Sequence, residues 1–200
     1  SVTVNFYEEP ADALITNNGH DNTPLVVFLS DHVMLTASPP TAGTGSWDIN
    51  SGSGILVEPD DTSAHLTDLI IDQLTTVAYT ITNGICPLKT DQINVERKEV
   101  KVYEGFSPNN DFLNDYLYAE GIDRSSADMT YVFTIFNSSG VFVKELTHES
   151  VLESPDNDAI WDGKTVSGNM AGDGTYYYVL HLVYKGKPFT YKGFFVIKSE

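Results

Sequence analysis

The feature that most restricts what this chain can become is a period of two. β-Branched and aromatic residues recur in short runs over residues 2–6, 25–29, 33–37, 77–81, 93–95, 131–136, 141–143, 175–184 and 189–197, separated by Gly, Pro, Asn or Asp clusters. Successive side chains of a strand point to opposite faces, so these runs read as strands. No convincing helical stripe exceeds two turns, and residues 66–74 fit a short helix, a strand or a loop equally well. Many short strands with turns between them bury their apolar faces by stacking sheets. The expected fold is all-β, two tandem immunoglobulin-like β-sandwich domains.

The polar run Val95-Glu96-Arg97-Lys98-Glu99-Val100 reads as the link between them, giving domains over residues 1–98 and 99–200. Charge shifts there too: residues 1–99 hold 14 acids and 3 bases, residues 100–200 hold 14 acids and 8 bases. Four of those eight, Lys185, Lys187, Lys192 and Lys198, fall in the last two predicted strands, a locally basic edge on a chain of formal charge −17. So acidic a chain is repelled by nucleic-acid phosphates and anionic lipid, which removes both as expected partners. At 41% hydrophobic the composition is that of a folded chain rather than a disordered one. The longest apolar run, residues 176–184, is far shorter than the roughly 20 residues of a membrane-crossing helix, so no membrane insertion is expected. The opening residues have neither a basic start nor a long apolar core, and they begin on a strand pattern without Met. We therefore expect a piece of something longer. Cys86 is the single cysteine, which excludes an internal disulfide or a Cys-rich metal site.

No catalytic constellation is present: no Gly-x-Ser-x-Gly elbow, phosphate-binding glycine loop or His-Glu-x-x-His. The five histidines (20, 32, 65, 148, 181) lack ligand spacing, and His181 reads as a half-buried strand residue. Acids are many, but none pair as a general acid and base. The expectation is a protein that is not an enzyme and carries no cofactor.

The most specific local feature is GFSPNNDFLND, residues 105–115. Side-chain oxygens at Asn109, Asn110, Asp111, Asn114 and Asp115 would suit Ca²⁺, with Asn109, Asp111 and Asp115 the leading ligands. The other reading is an Asx-rich turn whose side chains cap backbone amides. The bend glycine and terminal bidentate Glu of an EF-hand are missing, so no metal is expected. Further along, Asn137-Ser138-Ser139-Gly140 reads as a hairpin turn, Trp161-Asp162-Gly163-Lys164 as an aromatic anchor on a turn, and Gly174-Thr175-Tyr176-Tyr177-Tyr178 as a strand with tyrosines on both faces.

Taken in order, GFSPNNDFLND, YVFTIFNSSGVFVKE, WDGK and GDGTYYYVLHLVYKGKPFTYKGFFVIK resemble the gliding-motility-associated C-terminal domain, the type B sorting domain of the type IX secretion system of Bacteroidetes-type bacteria. The resemblance covers residues 100–200. It departs at Phe112, where the family usually has Gly, and at Ser139, where an aromatic usually precedes the Gly. It implies a secretion-signal motif at Gly105, Phe106, Ser107, Pro108, Asn109, Asp111, Asn114, Asp115, Trp161, Asp162, Gly163, Gly174, Tyr176, Tyr178, Tyr191, Lys192, Gly193 and Phe194. It also implies delivery to the cell surface or medium through periplasm and outer membrane, with the translocon and a PorP/SprF-type outer-membrane protein as partners. Residues 190–198 are the candidate recognition edge.

Segments 35–69 and 77–95 are similar to the PKD-like or immunoglobulin-like repeats of surface adhesins, which implies a core Trp47 and leaves Cys86 a free, buried thiol without its usual partner. Two other readings remain open here. One is an adhesion module holding calcium, a glycan or a protein ligand near Asp60, Asp61 and Asp68; the other is a purely structural stalk.

Overall fold

A computed structural model describes residues 6–18, 23–150 and 156–199. The chain divides into two compact units, Ser1–Glu99 and Val100–Glu200. Every regular element among the described residues is a strand. The expected run at residues 2–6 lies outside them except for Phe6, which is exposed and not in a strand.

In the first unit, one sheet has the order β1-β7-β6-β3, formed by β1 (Leu25–Phe28), β3 (Thr44–Ser51), β6 (Leu74–Thr82) and β7 (Lys89–Lys98). The other has the order β2-β5-β4, from β2 (Val33–Thr36), β4 (Ile55–Val57) and β5 (Ser63–Thr67). Alternation decides the facing: Val77, Tyr79 and Ile81 of β6 point inward against Leu35 and Leu66 of the second sheet. Trp47 closes this core with its ring centroid 4.8 Å from that of Tyr79. One expectation changes here, and one open reading is decided. Glu96 to Lys98 are not a link, because they form the end of β7, where Val26, Val27 and Phe28 pair with them in parallel. Residues 66–74 contain no helix, since Asp68 and Asp72 adopt positive φ (both 57°) and turn the chain between β5 and β6.

In the second unit, β8 (Lys101–Val102), β10 (Leu117–Glu120) and β13 (Ala159–Trp161) form a sheet of order β13-β10-β8. Against it lies a sheet of order β12-β11-β14-β15-β9, from β9 (Gly105–Phe106), β11 (Met129–Asn137), β12 (Phe142–Thr147), β14 (Gly174–Tyr184) and β15 (Lys187–Ile197). β14 and β15 pair without a register break from Gly174↔Ile197 to Tyr184↔Lys187. β9 runs parallel to β15 and meets only Val196 and Ile197. The inner face carries Met129, Tyr131, Phe133, Ile135, Tyr176, Leu180, Leu182, Phe195 and Ile197, all buried.

Candidate functional site

The motif residues separate into a buried set and an exposed set. Phe106, Trp161 and Tyr176 come from three different motifs and meet over Phe195 of β15. Trp161 lies 5.6 Å from both Phe106 and Phe195 and 6.0 Å from Tyr176, and Tyr176 stacks on Phe195 at 5.8 Å. Aromatic pairs at such separations add about 0.5–1.5 kcal/mol each beyond the area they bury. Three of the four motifs therefore contribute rings to a single cluster, the last of them two.

The small motif residues make room for it. At Gly163 (φ 81°) a Cβ would come within 2.9 Å of Met170 Cε and 3.0 Å of Pro108 Cγ, so this glycine lets the Trp161 turn sit against the Ser107-Pro108 segment. Asp162 accepts from the Lys164 amide and faces its ammonium at 2.8 Å, which holds the turn while Trp161 Nε1 donates to the Lys164 carbonyl at 2.9 Å. Gly193 lies opposite Tyr178, whose ring would stand 2.7–2.9 Å from any added Cβ. The ring covers the backbone where a side chain is missing. Burial raises the Tyr178 phenol above its ordinary pKa, and that of Tyr176 for the same main reason, so both stay protonated at neutral pH. Tyr191 is half-buried, and Gly174 opens β14 at φ 147°.

The exposed set has two parts. One is the loop after β9. Asp115 accepts from the amides of Asn110 (2.6 Å) and Phe112 (2.8 Å), while Asp111 accepts from the amide of Leu113 (2.8 Å) and from Asn109 Nδ2 (3.0 Å). Ser107 donates its amide to the Asn114 carbonyl at 2.8 Å, which closes the loop. These are the bonds of an Asx-rich turn, and they engage the carboxylates that the calcium reading would need. Among the described residues no three His, Cys, Asp or Glu side chains gather as a metal site. Asn110, Phe112 and Asn114 all adopt positive φ (65°, 69° and 55°). At Phe112 a bulky residue holds the left-handed conformation that favours glycine, with its ring 90% exposed.

The other part is β15. Thr190, Lys192, Phe194 and Val196 point to the outer face, and Phe194 is exposed while the neighbouring Phe195 is the core residue. Counting inward positions by twos from Ile197 identifies Phe195 as the core residue. Phe194 instead ends an outer-face row in which Phe142, Phe136, Tyr177 and Phe194 are paired in register across four strands.

Residues 100–197 match the family described as the CHU_C type IX secretion signal domain. They belong to that family. The chain thus carries a type IX secretion signal domain, which implies export to the cell surface or medium and interaction with the secretion machinery. Among solved structures it is similar to dimeric latent PorU from Porphyromonas gingivalis, at 11% identity and TM-score 0.32 over 96% of this chain and 20% of that one. It is also similar to chicken CNTN1 FN1–FN3 domains (14%, 0.32, covering 94% and 66%) and to fibronectin(III)-like modules of Clostridium thermocellum CbhA (11%, 0.33, covering 92% and 94%). The chain therefore spans a fifth of the PorU chain and about two thirds of the CNTN1 one. No curated protein matches it.

Other expectations turn out differently. Cys86 is half-buried rather than buried, with Sγ 3.6 Å from the Glu8 carbonyl. His181 is exposed, its Nδ1 at 3.1 Å from Thr190 Oγ1. Among the described residues Asp60, Asp61 and Asp68 do not gather as a metal site. Asp60 accepts from the amides of Thr62 and Ser63, which holds its carboxyl below the usual range, and the Asp61 carbonyl takes the Tyr79 hydroxyl at 2.6 Å. His20 lies outside the described residues.

Proposed function

We propose that the second unit is an address rather than a catalyst, carried by a surface protein whose first unit is a PKD-like, adhesin-type repeat, with a gliding-related role for the whole. The observation that carries the reading is the split of the motif. Phe106, Trp161, Gly163 and Tyr176 build one core, which leaves the Asn109–Asp115 loop and the Lys192–Phe194 stretch of β15 as the surface that an outer-membrane partner of the PorP/SprF type reads. A folded β-domain is recognised through shape, an exposed strand edge and charge, and β15 supplies the last two.

The test is a fusion. Residues 100–200 joined to an inert reporter behind a periplasmic export signal should reach the medium or surface of a type IX-competent strain and remain in the periplasm of one lacking the translocon. Retention in both strains overturns the reading.

A further inference from the structure

On the edge of β15 away from β14, the amides of Val196 and Lys198 donate to the carbonyls of Glu104 and Phe106 at 2.8 and 3.2 Å. Amides along a strand alternate between its two edges, and the β14–β15 register is unbroken. Those of Thr190, Lys192 and Phe194 therefore face the same outer edge. No strand among the described residues pairs with that edge before Val196. The open stretch has two stops. Pro188 has no N–H and ends it at one side, and β9 ends it at the other. What remains, Phe189 to Phe195, accepts a strand of about five or six residues.

The side chains beside this slot define what fits. Lys192 and Phe194 stand on the outer face, two residues apart, and residues 185–198 hold four lysines and no acid. No carboxylate of the described residues lies within 4.0 Å of Lys187 or Lys192. A strand added here would place one residue next to Lys192 and another at the end of the Phe142–Phe136–Tyr177–Phe194 row. A second copy of this strand would set lysines beside lysines.

We propose that the Phe189–Phe195 edge takes up, by strand addition, an extended segment of the outer-membrane machinery in which an acidic residue and an apolar one stand two apart. This rests on the address reading above, and its test separates the two. Amide exchange on the 200-residue chain, with a millimolar synthetic peptide Ser-Glu-Thr-Val-Thr-Glu-Ser, should slow at least tenfold at Thr190, Lys192 and Phe194. The effect should fade with added salt and be absent with the Lys-for-Glu peptide. No slowing, equal slowing by the Lys peptide, or slowing only elsewhere overturns the proposal.

In cells, Lys187→Glu/Lys192→Glu should cut export at least tenfold, while the double Arg variant exports normally. Thr190→Pro, which removes an outer amide without touching a backbone bond to β14, gives the same loss if the Glu variant fails to fold. Folded variants that export like the parent overturn the edge proposal and leave the address standing. A parent chain that is not exported overturns the address, and the peptide measurement still decides the edge.

Discussion

Each unit has one tryptophan at its centre, and the two are held differently. Trp161 is fully buried, its indole N–H is satisfied by the Lys164 carbonyl, and it touches three other rings. Trp47 has one ring neighbour, Tyr79, in an otherwise aliphatic core of Ile, Leu and Val, and its buried Nε1 finds no acceptor among the described residues. The first unit solves burial with aliphatic side chains that any of several residues could replace. The second concentrates it in rings drawn from separated motifs. That is why the second half has a signature that can be read across a hundred residues and the first does not.

The strongest way to break this contrast is Phe195→Ala, which removes the ring on which the cluster closes. It should cost the second unit about 3–5 kcal/mol in urea titrations followed by Trp161 fluorescence, with the Trp47 signal of a Trp161→Phe chain as the first-unit reference. Next come the tryptophans themselves. Trp161→Phe forfeits a buried hydrogen bond as well as packing and should cost about 2–3 kcal/mol, whereas Trp47→Phe also removes an unsatisfied donor and should cost less than about 1 kcal/mol. Equal losses would erase the difference we draw.

A smaller effect has the opposite sign. Phe112→Gly should stabilise the second unit by about 0.5–1 kcal/mol, a rise of a few degrees in Tm, because the ring buries nothing and φ is positive. The smallest effect is one in which the units should agree. Asp60 in the first and Asp123 in the second are both held below the usual carboxylate range by hydrogen bonds from following residues, Thr62 and Ser63 for one, Ser125 for the other. A lowered folded pKa means that the contribution is present above about pH 4 and is lost as pH falls through the folded value. Asp60→Asn and Asp123→Asn should each flatten the acid limb of thermal melts between about pH 5 and 2, in their own unit only.

Long strands with strict alternation were legible in the sequence: β11, β14 and β15 lie where Tyr131, Thr175 and Phe189 begin their runs. What escaped was short or chemically mild. β3, reading Thr-Gly-Ser-Trp-Asp-Ile-Asn-Ser, has too few apolar residues to show a period, and its place is fixed by pairing with β6. β10 and β13 are too short to display alternation and are set by Leu117 and Trp161 entering a core built elsewhere. At the candidate site, the Asx turn, Asn137-x-x-Gly140 and the Trp161 turn followed from residue chemistry, with Asn137 Oδ1 accepting from the amides of Ser139 and Val141. Phe194 and Phe195 are hard to tell apart from sequence, because in a run of apolar residues on both faces period two gives no contrast. The burial of Cys86 was misjudged because Gly84 and its neighbours form an exposed turn that composition alone does not reveal.

The pairing of β9 with β15 has a consequence in time. These are the second and the final strands of their unit, and Phe106 waits for Phe195 across the whole intervening stretch. While a ribosome is still making the domain, Phe106 can meet Trp161 but not the ring on which the cluster closes. A product broken off early would hold every motif but the last and still lack the finished surface, so a reader of that surface would pass over incomplete cargo without a separate proofreading step.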